Sequence, residues 1–332
     1  MICWKRRCNT QGKQTYVKPD LQSPEDPILC QGAELERLFD RGFYTEGPAE
    51  GPDGRIYFCD ITPTFLSNMA AGNIWAYDPT DGSTTLFRSP SGMASGIHFD
   101  AAGRMVIAGG ADFGCRAVIR TDLKTGRSHI LAGLYRGRPF NSPNDLVIDR
   151  AGRIYFTDPR YFGHEPIEQP VFGVYRIDPD GSVHLLLADV SKPNGIELSP
   201  DEKTLYVAEH DIRILDRRLS DVPIRDMGDM RILAYDLEEG VARNQRTLVD
   251  YGAEKGADGI AVDSAGNIYA AVRSRQRPGI RIYSAQGDPL TDIPLPAAPS
   301  NVALCTRNNQ TYLYITAANG LYRLATRVPA KS

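Results

Sequence analysis

A short pattern recurs six times along this 332-residue chain, and it constrains the fold more than any other feature. Each copy has a polar first residue, a small apolar stretch, a tight turn and then an apolar or aromatic strand. The first three copies read EGPAEGPDGRIYFCD from Glu46, SGIHFDAAGRMVIAG from Ser95 and NDLVIDRAGRIYFTD from Asn144. NGIELSPDEKTLYVAE from Asn194, DGIAVDSAGNIYAAV from Asp258 and SNVALCTRNNQTYLYIT from Ser300 complete the series. The starts are separated by 49, 49, 50, 64 and 42 residues. That is the period of a β-propeller blade built from four strands.

The remainder of each unit fits the same reading. A third strand with its turn follows in NIWAYDPTDG, AVIRTDLKTG, GVYRIDPDG and ILAYDLEEG. The terminal Gly of each accepts the positive φ that a tight hairpin needs. Fourth strands follow in TTLFRS, SHILAG, HLLLADV and RTLVDYG, where alternating β-branched and aromatic residues favour strand over helix. The last copy ends at GLYRLATRV without a fourth strand, and ELERLFDRG at 34–42 resembles the missing one. The predicted fold is therefore all-β, a six-bladed propeller closed by residues 35–39 as the outer strand of the last blade. Residues 1–30 read as an N-terminal arm and 31–328 as one propeller domain.

Composition excludes several classes of function. With 42% apolar and 24% charged residues and a net charge of −3, the chain is an ordinary globular protein. Its largest basic cluster, Lys5, Arg6 and Arg7, is too small an electrostatic footprint for nucleic acid or an acidic membrane. The cysteines Cys3, Cys8, Cys30, Cys59, Cys115 and Cys305 are scattered without a C-x-x-C pair, so reduced thiols are expected rather than a disulfide framework or a zinc site. The N-terminal residues lack the apolar run of a signal peptide, and no stretch is long enough to span a bilayer, so a cytoplasmic location is expected. No G-x-S-x-G elbow, phosphate loop or dinucleotide fingerprint occurs in a fitting context.

Propeller topology separates two faces. The links after the second strands are long at 61–72, 159–172 and 210–230, and long loops on a rigid scaffold mark a working face. The innermost strands begin on that face, beside the axis, at Glu46, Ser95, Asn144, Asn194, Asp258 and Ser300. With 41 acidic residues and twelve asparagines in 332, chance puts about one Asp, Glu or Asn in six slots, whereas four occur. Sixfold geometry aims them at one point. Two carboxylates and two amide oxygens suit one hard divalent cation, Ca²⁺ first, with Mg²⁺, Mn²⁺ or Zn²⁺ as alternatives. Four protein oxygens leave coordination positions for water and substrate, as at a catalytic metal. Each residue taken alone is equally a turn former ahead of a strand. Asp145 follows Asn144 and either orients it or caps backbone amides. Tyr161 and His210, with Asn144 and Asp145, are the candidates for substrate contact. Asp60, Asp112, Asp158 and Arg273, at the ends of second strands, read first as loop residues with structural hydrogen bonds. His129 and His184 are expected on solvated outer strands, and His98 in the core.

With these residues identified, the chain resembles the gluconolactonase and regucalcin (senescence marker protein) family of six-bladed propellers, and its bacterial gluconolactonase-like lactonases most of all. The likeness covers about residues 33–325. It is carried by FNSPNDLVIDRAGRIYFTDPRYFG at 140–163, with EGP at 46–48, PNGIELSPD at 193–201 and ADGIAVD at 257–263. The resemblance implies that Glu46, Asn194 and Asp258 bind the metal and that Asn144 serves as ligand or substrate contact. Regucalcin-like members carry an Arg for the sugar acid two residues before that Asn, where this chain has Ser142.

The resemblance also implies metal-dependent hydrolysis of a small lactone, gluconolactone or a relative of it. The metal would polarise the carbonyl, and Asp258, or else Glu46, would take a proton from the attacking water. A phosphotriesterase of the diisopropylfluorophosphatase type, a non-catalytic binding propeller and a calcium buffer are the rival readings. The expected partner is the small-molecule lactone, with no nucleic acid and no membrane, and nothing in the pattern specifies an oligomer.

Overall fold

Alternating Val, Ile, Tyr and Phe put each repeat into strands, and Gly- and Asp-rich turns fold those strands back on one another. The computed structural model describes residues 5–8, 14–17, 26, 28–30, 32–69, 71–212 and 227–331. Its strands form six antiparallel sheets of at least four strands, with one additional two-stranded hairpin. The first sheet runs Tyr44–Glu50, Ile56–Ile61, Asn73–Tyr77 and Thr84–Arg88, and each later sheet repeats this meander. The innermost strands contact one another in turn, and the last, Pro299–Arg307, returns to Tyr44–Glu50. The architecture is the expected six-bladed β-propeller. Among the described residues the one helix is the single turn Thr64–Ser67, and no helix is long and apolar enough to cross a membrane.

The ring closes where the sequence pattern places the missing strand. Leu35–Phe39 pairs antiparallel with Gly320–Thr326, with Phe39 opposite Leu321 and Glu36 opposite Arg323. Gln14–Val17 and then Lys5–Cys8 continue this sheet outward, so parts of the 1–30 segment lie against the last blade. The core is divided into six apolar clusters, each filling the seam between two neighbouring blades. At the closing seam Phe39, Phe58 and Tyr77 pack with Cys305, Tyr314 and Leu321. Phe39 meets Phe58 edge-on at 5.2 Å and Trp75 at 5.1 Å. Cys30, Cys59, Cys115 and Cys305 are free thiols. His129 is exposed on its outer strand. His184 lies half open beside Asp178. His98 bonds the Phe99 carbonyl at 3.1 Å.

Candidate active site at the propeller axis

The innermost strands change register where the repeats begin. Pairing slips between Glu46 and Ala49, Ala94 and Ile97, Pro193 and Ile196, Ala257 and Ile260, and Pro299 and Asn301. A bulge bends its strand and re-aims a side chain, and three of these slips coincide with Glu46, Asn194 and Asp258 facing the mouth of the tunnel. In the third blade the strand begins only at Leu146, and Asn144 is held by its own amide on the Thr157 carbonyl at 2.9 Å. The strands approach so closely that the residue following a site position has little room. A Cβ at Gly47, where φ is 45°, would lie 2.1 Å from the Ser95 carbonyl oxygen, and one at Gly259 would lie 2.1 Å from Asn301 Oδ1.

Glu46, Asn144, Asn194 and Asp258 line one cavity of about 230 Å³, together with Tyr44, Tyr161, His210 and Arg273. Of the two remaining axial positions, Ser300 turns its hydroxyl to the Thr45 carbonyl at 2.6 Å, and Ser95 is buried outside the cavity. Asp145 does not join the site. Its Oδ2 accepts Asn301 Nδ2 at 3.2 Å and its Oδ1 accepts the Leu146 amide, and it lines a second cavity of about 270 Å³ entered from the opposite face.

The charge of the site is out of balance. Burial, then the neighbouring Asp258 and Asp145, push the Glu46 carboxyl well above the usual carboxylate range. Burial likewise raises Asp145 to about 7. Asp258 Oδ2 accepts Arg273 Nη1 at 2.8 Å and the Tyr44 hydroxyl at 3.3 Å. Arg273 also donates to Tyr44 and lies over its ring at 5.3 Å. Burial works against the guanidinium's charge, but Tyr44 and Asp258 outweigh it and make Arg273 more basic than usual. Arg273 thus sets one positive charge against Glu46 and Asp258 at the edge of the cavity, an arrangement that sequence spacing does not reveal.

Two further side chains are held in defined states. Asn194 donates from Nδ2 to the Tyr161 hydroxyl at 3.0 Å, and that hydroxyl donates to the His210 carbonyl at 3.0 Å. The amide nitrogen is committed, so Asn194 Oδ1 is the atom available for a cation, and Tyr161 acts as its orienting partner. His210 Nδ1 sits 3.1 Å from the Ala257 carbonyl, which can only accept, so Nδ1 carries the proton. Nε2 is then an acceptor, and it is buried without a hydrogen-bond partner. Burial lowers the His210 pKa to about 4, so the ring is neutral at ordinary pH.

The carboxylates at the ends of second strands anchor the segments leading into the site. Asp60 accepts the Phe43 and Tyr44 amides at 2.7 and 3.0 Å, three and two residues before Glu46. Asp158 accepts the Asn141 and Ser142 amides at 2.8 and 2.6 Å, and Glu209 accepts the Ser191 amide at 2.8 Å. Each fixes the approach to one axial residue. Asp112 instead joins loops of the working face through Thr64 and His164. Ser142 accepts the Ala111 amide at 3.0 Å and does not line the cavity.

Among the described residues no group of three His, Cys, Asp or Glu side chains forms a metal cluster. The axial set has two carboxylates and two amides, and with Arg273 paired to Asp258 the second carboxylate, Glu46, is held toward its protonated form. Such oxygen donors fit a hard divalent cation, which would favour the ionised form of both carboxylates.

The family model described as the SMP-30/Gluconolactonase/LRE-like region matches residues 45–319. A gluconolactonase of Zymomonas mobilis is 29% identical over 346 aligned positions, covering 96% of this chain and 87% of the relative. Lactonase drp35 of Staphylococcus epidermidis is 27% identical, covering 82% of this chain and 76% of its own. Among solved structures, a gluconolactonase of Xanthomonas campestris superposes with a TM-score of 0.75 at 26% identity, covering 92% of this chain and 93% of that one. The calcium-binding protein regucalcin of Agrobacterium tumefaciens shares the fold with a TM-score of 0.67 at 19% identity, covering 89% and 96%.

Proposed function

Because the chain belongs to the SMP-30/gluconolactonase/LRE-like family, we propose that it is a metal-dependent lactonase that opens small lactone rings at the propeller axis. The observation that carries this reading is the convergence of Glu46, Asn144, Asn194 and Asp258 on one cavity beside a neutral His210 whose Nε2 has no partner. The gluconolactonase and lactonase relatives support the lactone as substrate class. One divalent cation, Ca²⁺ first, held by those four side chains would polarise the lactone carbonyl and offset the charge that develops on its oxygen.

The chain's own groups supply the rest. Tyr161 keeps the Asn194 oxygen available, while Arg273 and Tyr44 fix Asp258 Oδ2. Asp258, and after it Glu46, is the base expected from sequence. Both belong to the cation-holding set, and a carboxylate so engaged is a poor base. With a pKa of about 4 His210 is no stronger a base, but its Nε2 is unpartnered and is not needed to hold the cation, and on that geometric ground we assign the proton transfer to it. Water oxygen attacks the carbonyl carbon as Nε2 takes its proton. The ring C–O bond then breaks, and the same proton passes to the departing alkoxide, leaving the hydroxy acid and neutral His210.

The reaction class is tested by assaying a panel of small lactones, glucono-1,5-lactone included, beside a phosphotriester with one metal-loaded preparation. Turnover of lactones alone supports the reading; turnover of the phosphotriester alone overturns it. For the base, His210→Gln is expected to lower kcat roughly 10²–10³-fold with little change in KM. The wild-type rate is expected to stay level through neutral pH and fall as pH approaches about 4, because protonating Nε2 there removes the acceptor. Variant activity within a few-fold of wild type would place the base elsewhere.

A further inference from the structure

The walls of the cavity differ in kind from its floor. Above the axial oxygens it is lined by Ile61, Pro63, Phe65, Leu66, Phe162 and Ile212. Phe65 and Leu66, on the one-turn helix Thr64–Ser67, are 51% and 62% exposed. Phe65 faces Phe162 edge-on at 6.1 Å, joining a first-blade loop to a third-blade loop. Exposed apolar side chains grouped around a polar centre mark a contact surface rather than random surface composition.

This rim is held in place by buried polar bonds. Asp112, 1% exposed, accepts the Thr64 amide at 2.6 Å and the Thr64 hydroxyl at 2.8 Å, and His164 Nε2 lies 3.3 Å from it. Glu165 in turn accepts the amides of Asp112 and Phe113 at 2.9 and 2.6 Å. Loops from the first three blades are therefore tied together at the foot of the apolar wall, so the wall is pre-formed before substrate arrives.

The two tyrosine hydroxyls nearest the rim are already engaged. The Tyr161 hydroxyl is bonded to Asn194 and His210, and the Tyr44 hydroxyl to Arg273 and Asp258. A polyhydroxylated ring would press several hydroxyls against Phe65, Leu66 and Phe162 without partners, which is costly. An alkyl or aryl substituent would instead lose its water contact there at a gain.

We propose that the rim formed by Phe65, Leu66 and Phe162 is a subsite for an apolar substituent, making the preferred substrate an alkyl- or aryl-substituted lactone rather than a sugar lactone. This inference rests on the lactonase reading for its chemistry, and its test separates the two.

A series of δ-lactones with unbranched chains of increasing length is assayed beside glucono-1,5-lactone, and binding of the matching δ-lactams, which resist opening, is measured by calorimetry. In the wild type, kcat/KM and lactam affinity are expected to rise roughly two- to fourfold per methylene until the rim is filled. The longer lactones should then exceed glucono-1,5-lactone by at least roughly tenfold. In Phe65→Ser/Leu66→Ser, and more weakly in Leu66→Ser alone, that slope should flatten; both sites are exposed enough to tolerate serine, and melting curves verify folding. A flat wild-type slope with glucono-1,5-lactone preferred would overturn the subsite and leave the lactonase intact. No hydrolysis of any lactone together with chain-length-dependent lactam binding would overturn the lactonase reading while keeping the subsite. Absence of both would overturn both.

Discussion

Asp258→Asn is expected to lower kcat/KM for lactone opening by at least roughly 10³-fold and to weaken divalent-cation affinity by roughly 10²-fold. The substitution keeps the shape of the side chain and removes one of the two carboxylates at the axial site. Arg273 makes this loss larger, because its positive charge then faces Glu46 with no Asp258 carboxylate between them in the balance. The amide oxygen can still accept from Arg273 Nη1, so the fold should lose only about 1 kcal/mol. Calorimetric titration with Ca²⁺ and steady-state kinetics at saturating metal separate lost affinity from lost chemistry. If the variant recovers full activity at high metal concentration, Asp258 contributes binding alone. If it binds and turns over like wild type, the axial assignment is wrong.

The second large effect lies far from the chemistry. Phe39→Ala should destabilise the protein by about 3–5 kcal/mol, since Phe39 is 4% exposed and packs on Phe58, Trp75 and Leu321 at the closing seam. That strand closes the last blade by pairing with Gly320–Thr326, and weakening it loosens the sheet there. Urea denaturation should show a lower midpoint. A cost below about 1 kcal/mol would mean that ring closure does not depend on this contact. Leu35→Ala, at the other buried end of the same strand, tests the neighbouring seam, where Leu35 packs with Val302 and Leu324.

The fold was legible because its determinants are local and repeated. Asp-Gly and Ala-Gly turns at constant spacing set the first hairpin of most blades, and the orphan strand in 34–42 matched the one missing at the end. The four axial side chains were legible for the same reason, since a repeat converts sequence position into angular position around one axis. Ser95 and Ser300 occupy the same slots, and only the structure shows that Ser300 bonds across the seam to Thr45. Asp145 sits one residue past a site position, yet it turns to the other side of the axis to meet Asn301.

What sequence spacing could not supply was anything decided by long-range bonds. The protonation of His210 depends on the Ala257 carbonyl, 47 residues away. Arg273 meets Tyr44 across 229 residues of sequence, so its role as counter-charge to Asp258 was read as a loop contact. The apolar rim depends on Asp112 drawing the Thr64 helix toward the third blade. A signal for these residues does exist: each lies at or just past the end of a second strand, where the working face begins.

The most direct test of the central claim combines metal analysis with activity. Purified protein is assayed on the lactone panel as isolated, after exhaustive chelation, and after titration with Ca²⁺, Mg²⁺, Mn²⁺ or Zn²⁺, while bound metal is counted per chain. The expected result is one divalent ion per chain, loss of lactone turnover on chelation, and recovery that tracks the return of that single ion. Lactone hydrolysis that persists at full rate in the metal-free protein would contradict it.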